Sequence, residues 1–312
     1  MKTKSLILLL ILASLWGPSF LFIKIAVAEV PPITLAALRI GIAALLLFAF
    51  LYMRGGRLPK SASFWTRVTI AGFFAHALPF VLINWGETYI ASGLASILNG
   101  LTPLFTIVIA HFMLDDDKMN FRKVVGTIIG FGGLIVLIAP SLSMSMEATV
   151  LGILAVSIGA ISYGFAMAYS RKFLTKAKPL HAPTAQLLVA TLYLVPLSFI
   201  VDGGVELNIF ALSSPVLWSI LTLATFGTAV AFVIYYKIIE VASASYLSLV
   251  TYLMPVYGVL LGIIFLNESL SWFAYAGAGL IIFGVMIANK TIRFEYKRTK
   301  INTSSLDSCV SK

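Results

Sequence analysis

The feature that most constrains this chain is a regular alternation of long apolar stretches with short polar connections. Ten stretches are long enough to matter: 5–27, 33–53, 66–87, 91–113, 121–139, 149–170, 183–201, 213–236, 245–266 and 271–289. A membrane helix needs about 20 apolar residues to cross roughly 30 Å of hydrocarbon. With no water at that depth, only helices or closed barrels satisfy the backbone. The connections are too short to hold a soluble domain. Composition agrees: 60% of the residues are hydrophobic, 11% are charged, and mean hydropathy is +1.01. A lipid bilayer is the expected surroundings, because a water-soluble chain of this length needs about a quarter of its residues charged. The expectation is an all-α polytopic membrane protein with ten transmembrane helices.

The net charge of +10 reads as topology rather than as a nucleic-acid surface. Lys2 and Lys4 precede the first stretch. Arg54, Arg57, Lys60 and Arg67 fill the second connection, Lys118, Arg122 and Lys123 the fourth, Arg171, Lys172, Lys176 and Lys178 the sixth, and Lys237 the eighth. The tail carries Lys290, Arg293, Lys297, Arg298, Lys300 and Lys312. Twenty of the 22 basic residues thus fall on one side of a ten-helix topology, which places both termini in the cytoplasm of a bacterial inner (plasma) membrane. The other two, Lys24 and Arg39, lie inside the first and second stretches. The start of the chain also has the makings of a signal peptide, but no convincing small-x-small cleavage site follows.

Motifs exclude several chemistries. The one cysteine, Cys309, rules out a disulfide framework, and His76, His111 and His181 are too far apart for a metal site. No Gly-x-x-x-x-Gly-Lys-Ser/Thr loop or Gly-x-Ser-x-Gly elbow is present. Neither an enzyme nor a cofactor is expected.

The chain matches itself. At an offset of 147, Trp16-Gly17 falls on Tyr163-Gly164, Lys24 on Arg171, Pro32 on Pro179 and Arg39 on Gln186. At an offset of 152, Phe80 falls on Phe232, Pro103 on Pro255, Asp116 on Glu268 and Gly132 on Gly284. Residues 1–140 and 149–290 are two copies of one five-helix unit, followed by a tail at 291–312. An odd number of helices per copy forces the second to enter the membrane inverted, an arrangement typical of secondary transporters.

The stretch from Ile83-Asn84-Trp85-Gly86-Glu87 through Ala91-Ser92-Gly93-Leu94-Ala95-Ser96 to Thr102-Pro103-Leu104-Phe105 resembles the third-to-fourth helix signature of the EamA family, within the drug/metabolite transporter superfamily. Ala242-Ser243-Ala244, Met254-Pro255-Val256 and Leu266-Asn267-Glu268-Ser269-Leu270 are similar to its second copy. The Asp115-Asp116-Asp117 run departs from the family's usual single acidic residue. The resemblance covers about 1–290. It implies two EamA modules and secondary transport, often export, of amino acids or other small metabolites. A carrier of organic anions or nucleotide derivatives, using Lys24 and Arg39, is the alternative. Homodimers are compatible with either.

Polar groups at bilayer depth are costly and mark candidate sites. All twelve acidic residues fall at helix ends, in loops or in the tail, so a proton is expected to travel on His76 or on the substrate. A substrate site is expected from Trp16, Arg39, His76, Asn84, Asn99, Tyr163 and Tyr252. For Asn84 and Asn99 the other reading is a tie between helices; for His76, a hydrogen bond between helices; for Lys24, a side chain reaching for the interface. Gly17, Pro18, Pro103, Gly164 and Pro255 are candidate hinges. Tyr235 and Tyr236 read as an interfacial aromatic belt. Gly126 and Gly130 read as a packing face, opposed to Gly277 and Gly284.

Overall fold

The computed structural model describes residues 3–143, 147–175, 177, 180–203, 211–241 and 250–289, and these are helical with no strand among them. The first half runs α1 (Thr3–Trp16), α2 (Ser19–Ala26), α3 (Pro32–Met53), α4 (Ala62–Gly72), a π-helical segment (Phe73–Ala77), α5 (Leu78–Tyr89), α6 (Ser92–Asn99), α7 (Thr102–Met113) and α8 (Phe121–Ser143). The second runs α9 (Glu147–Phe173), α10 (His181–Val201), α11 (Ser214–Ala224), a second π-helical segment (Thr225–Val230), α12 (Ala231–Val241), α13 (Val250–Leu266) and α14 (Trp272–Ala288). Among the described residues, eight continuous or broken helices are long and apolar enough to cross a membrane, and 253–266 and 272–288 are shorter apolar helices.

The breaks have local causes. Proline at 18 has no N–H to donate and glycine precedes it, so one transmembrane stretch becomes α1 and α2. Gly17 also admits a close neighbour: a Cβ there would lie 2.3 Å from Tyr257 Cβ. The first π segment ends just before Pro79, which cannot donate to the carbonyl four residues back. In the second, the Thr228 hydroxyl donates to Leu223 O, five residues back, at 2.8 Å. α6 and α7 part at Gly100-Leu101, with Pro103 in the first turn of α7. Gly164 sits in the uninterrupted α9 and Pro255 inside α13.

Small residues let the helices approach. A Cβ on Gly126 would lie 2.5 Å from Gly284 O, and one on Gly133 would lie 2.7 Å from Gly277 O, so α8 and α14 touch backbone to backbone. The packing role read for Gly126 and Gly284 is what the structure shows. Gly130 shares this contact, since a Cβ on Gly284 would lie 2.6 Å from Gly130 N, and it also receives Leu104, whose Cδ1 would lie 2.1 Å from a Cβ on Gly130.

The two halves are tied differently at the two ends of the bundle. At one end, carboxylates accept from the starts of helices in the opposite half. Glu268 accepts from Ser92 N (2.7 Å), Gly93 N (3.0 Å) and Ser92 Oγ (3.1 Å). Asp202 accepts from Thr34 N (2.8 Å) and Oγ1 (2.6 Å), and Glu29 from Ser213 N (2.9 Å). Hydrogen bonding from Ser213 holds the Glu29 carboxyl below its ordinary range. These bonds satisfy orphan N–H groups and place negative charge at positive helix ends. At the other end, Arg171 bridges Asp116 (2.7 Å) and Asp117 (2.6 Å), and Lys123 joins Asp117. Partial burial pushes Asp117 up, but bonds and charge from Lys123 and Arg171 outweigh it and leave the carboxyl below its usual range.

Candidate functional site

The two π segments, Phe73–Ala77 and Thr225–Val230, begin at equivalent positions of the repeat, since 73 and 225 differ by 152. Each turns one polar side chain toward the opposite half. His76 Nε2 donates to Gln186 Oε1 at 3.3 Å, and Arg39 Nε donates to Thr228 Oγ1 at 3.1 Å. His76 and Thr228 are repeat equivalents, and so are Arg39 and Gln186. These are therefore two copies of one cross-half pair.

The aromatic groups around them obey the same rule. Trp16 meets Phe232 edge-on at 6.4 Å and 78°, and its equivalent Tyr163 meets Phe80 at 6.4 Å and 73°. Gly17 approaches Tyr257, and Gly164 approaches Phe105, again equivalents. Reciprocal contacts of this kind define a pseudo-twofold axis between the halves. The polar pairs and the aromatic pairs surround it.

Electrostatically the two pairs differ. Arg39 is 6% exposed and its guanidinium stacks over Phe80 at 4.5 Å from the ring centroid. It makes no ion pair with a carboxylate among the described residues, and its two terminal nitrogens have no acceptor there. His76 lies 5.9 Å from Phe80 and 5.3 Å from Phe232, and its Nδ1 is buried without a partner.

The other expected site residues separate into groups. Asn84 is buried and donates to Pro32 O at 3.0 Å, tying α5 to the start of α3, while its Oδ1 has no partner. Asn99 ends α6 with a buried, unpartnered Oδ1. The side chain of Tyr252 lies outside the described residues, as do Tyr236 and Cys309. Tyr235 packs inward against Trp16 (5.8 Å) and Phe232 (6.2 Å) rather than joining a belt, because the aromatic rings around the axis offer it a partner. Lys24 donates to the backbone carbonyls of Glu87 and Ile90, the latter at 2.8 Å. It closes the end of α5 instead of reaching for the interface.

Three residues escaped the sequence reading. Thr228 was concealed because its equivalent is a histidine. Gln186 was aligned with Arg39 but not recognised as the partner of His76. Glu87 stands at a helix end, as expected, yet is fully buried with both carboxylate oxygens unpartnered, within electrostatic reach of Lys24, Glu268 and Arg39. Depth along the chain did not reveal that the helix end is itself enclosed. Two cavities lie away from the axis group, one between Gly41, Leu45, Leu188 and Leu192 and one beside Phe64, Arg67 and His181.

A polytopic helical bundle of two pseudo-symmetric halves, with polar pairs between them, is the architecture of a membrane transporter. The chain belongs to the EamA-like transporter family, which it matches twice, over residues 3–139 and 150–290. It is 31% identical over 293 residues to an "Uncharacterized transporter" of Archaeoglobus fulgidus, covering 91% of this chain and 98% of that one. It is 29% identical to the "Uncharacterized inner membrane transporter YedA" of Escherichia coli, covering 88% and 86%. A "Probable amino-acid metabolite efflux pump" of Escherichia coli is 25% identical over 92% of this chain and 95% of its own. A solved crystal structure superposes with a TM-score of 0.65 at 21% identity, covering 94% of this chain and 100% of that one, and shares the fold.

Proposed function

We propose that this chain is a multi-pass inner-membrane secondary transporter that exports or facilitates small metabolites, amino acids first, by alternating access between its two inverted halves. The observation that carries this reading is Arg39: a guanidinium buried beside the pseudo-twofold axis, hydrogen-bonded through Nε, with no carboxylate paired to it among the described residues. An unmatched charge at bilayer depth costs about 3 kcal/mol on insertion scales. A substrate carboxylate offsets that cost while bound. Trp16, Tyr163, His76, Asn99 and Tyr252 complete the proposed site, and Asn84 serves as a tie. Helix breaks at Gly17-Pro18 and near Pro103 are the proposed hinges, with Gly164 and Pro255 as packing points on their equivalents. A homodimer remains compatible with this reading.

An organic-anion or nucleotide carrier using both Lys24 and Arg39 is less well supported. Lys24 is committed to two backbone carbonyls, so among the described residues Arg39 is the cation that faces the other half without a carboxylate, suited to a single carboxylate rather than to several phosphates.

The test is counterflow of labelled amino acids in liposomes containing the purified protein, guided by metabolite profiles of cells with and without it. Saturable exchange of one or more amino acids in wild type, lost in Arg39→Gln, supports the proposal. Exchange of phosphorylated compounds alone would replace it with the anion-carrier reading.

A further inference from the structure

This inference rests on the reading of Arg39 as the anchor of a substrate carboxylate and concerns where that carboxylate sits. Three features converge beside the guanidinium. Gly227, in the second π segment, presents a bare Cα toward α2 and α3. A Cβ built there would lie 3.2 Å from Ser19 Oγ and 3.7 Å from both Arg39 Nη2 and Thr222 O. Ser19 Oγ is buried and has no hydrogen-bond partner, although Ser19 follows directly on the Gly17-Pro18 break that positions it. Arg39 Nη2 has no acceptor among the described residues, and Thr228 holds Nε so that the fork faces this space. Ser19 Oγ and Arg39 Nη2 thus converge on the bare Cα of Gly227, and a buried hydroxyl such as that of Ser19 is seldom left unpaired without a reason.

The other copy supplies the contrast. The equivalents of Ser19, Gly227 and Arg39 are Ala166, Ala75 and Gln186. There the charge and the hydroxyl are gone and a methyl stands where Gly227 has none. The bare Cα beside a charge and a hydroxyl is a property of one copy and not of the helix architecture.

We infer that the substrate carboxylate sits over Gly227, one oxygen accepting from Arg39 Nη2 and the other from Ser19 Oγ, and that the missing Cβ of Gly227 is what admits it. Thr228 acts as a positioning residue that fixes the guanidinium plane. The ligand class is a monocarboxylate whose acid group is unbranched at its oxygens; an ester or amide of the same compound lacks the charge that pairs with Arg39.

Acetate is the probe, because it is the smallest carboxylate and needs no knowledge of the full substrate. The full chain, labelled with ¹⁵N-arginine and held in lipid nanodiscs, is titrated with acetate and, separately, with acetamide. The Arg39 Nε resonance is assigned by its loss in Arg39→Gln. It should shift saturably with acetate and stay put with acetamide. In Gly227→Ala the apparent affinity should fall about tenfold or more, and in Ser19→Ala several-fold, with thermal stability retained. A flat Arg39 response in wild type, or an unchanged one in both variants, overturns the inference. Ser19→Ala decides the matter if Gly227→Ala does not fold. Amino-acid counterflow, measured in parallel, separates the two readings. Flux without an acetate response at Arg39 leaves transport standing and removes this seat. An acetate response abolished by Gly227→Ala without amino-acid flux keeps the seat and removes amino acids as cargo.

Discussion

The Arg39–Thr228 pair and the Gln186–His76 pair occupy equivalent places and do different things. Both join a helix of one half to a π segment of the other, and both lie against the Phe80 ring. One holds a fixed charge that no described carboxylate pairs with; the other is neutral amide and imidazole. A duplication starts from two identical pairs, so the two have diverged, and one now carries a charge while the other is neutral. The lesson is that symmetry of the backbone positions the site, while departure from symmetry in the side chains gives it polarity.

The sharpest way to break the comparison is Arg39→Gln, which writes the second copy's residue into the first. Losing a charged hydrogen bond to substrate costs about 1.5–3 kcal/mol, so substrate affinity in counterflow should drop by roughly ten- to a hundredfold. Expression and melting temperature should hold, because the equivalent site already accommodates glutamine. Unchanged affinity would mean that Arg39 serves the fold and not the cargo.

Packing supplies the next effect. Gly126→Ala places a methyl within 2.5 Å of Gly284 O, and overpacking of this kind costs about 1–3 kcal/mol. Gly132→Ala, in the same helix with open space at its Cα, should be neutral in the same melting measurement. Equal melting temperatures for the two would refute the tight α8–α14 contact.

A smaller effect is expected on the neutral side. His76→Gln keeps a polar group facing Gln186 and should change affinity by about 1 kcal/mol or less. Any modulation of flux by a pH gradient should vanish in this variant. Strong uphill accumulation driven by protons and retained in His76→Gln would shift attention to the buried, unpartnered Glu87 carboxylate.

The least effect belongs to the bundle end. Asp117 has a depressed folded-state carboxyl, so its pairing with Arg171 and Lys123 stabilises above the unfolded value, about 3.9, and is lost as pH falls through the lower folded value. The pair is partly exposed, so Asp117→Asn should lower stability at neutral pH by less than about 1 kcal/mol. The difference from wild type should disappear in acid; a difference that persists there would have another origin.

Much of the fold was legible because its causes are local and periodic. Apolar length fixed the helices, since a run of about 20 apolar residues satisfies its own backbone across a bilayer as a helix. The two offsets revealed the duplication, which the two family matches bear out. Even the glycine contact between α8 and α14 was readable, because close approach demands small residues. The site was legible residue by residue but not as an arrangement. Arg39 and His76 stood out as polar groups at depth, yet Thr228 and Gly227 look ordinary in a row of small residues, and Tyr235 looked like a belt. Which side chains meet across the axis depends on the rotation of each helix and on two π segments. Those follow from how the halves pack, and no single stretch of chain encodes that. Glu87 makes the same point: the sequence placed it at a helix end, and only the neighbouring helices decided that this end is closed to water.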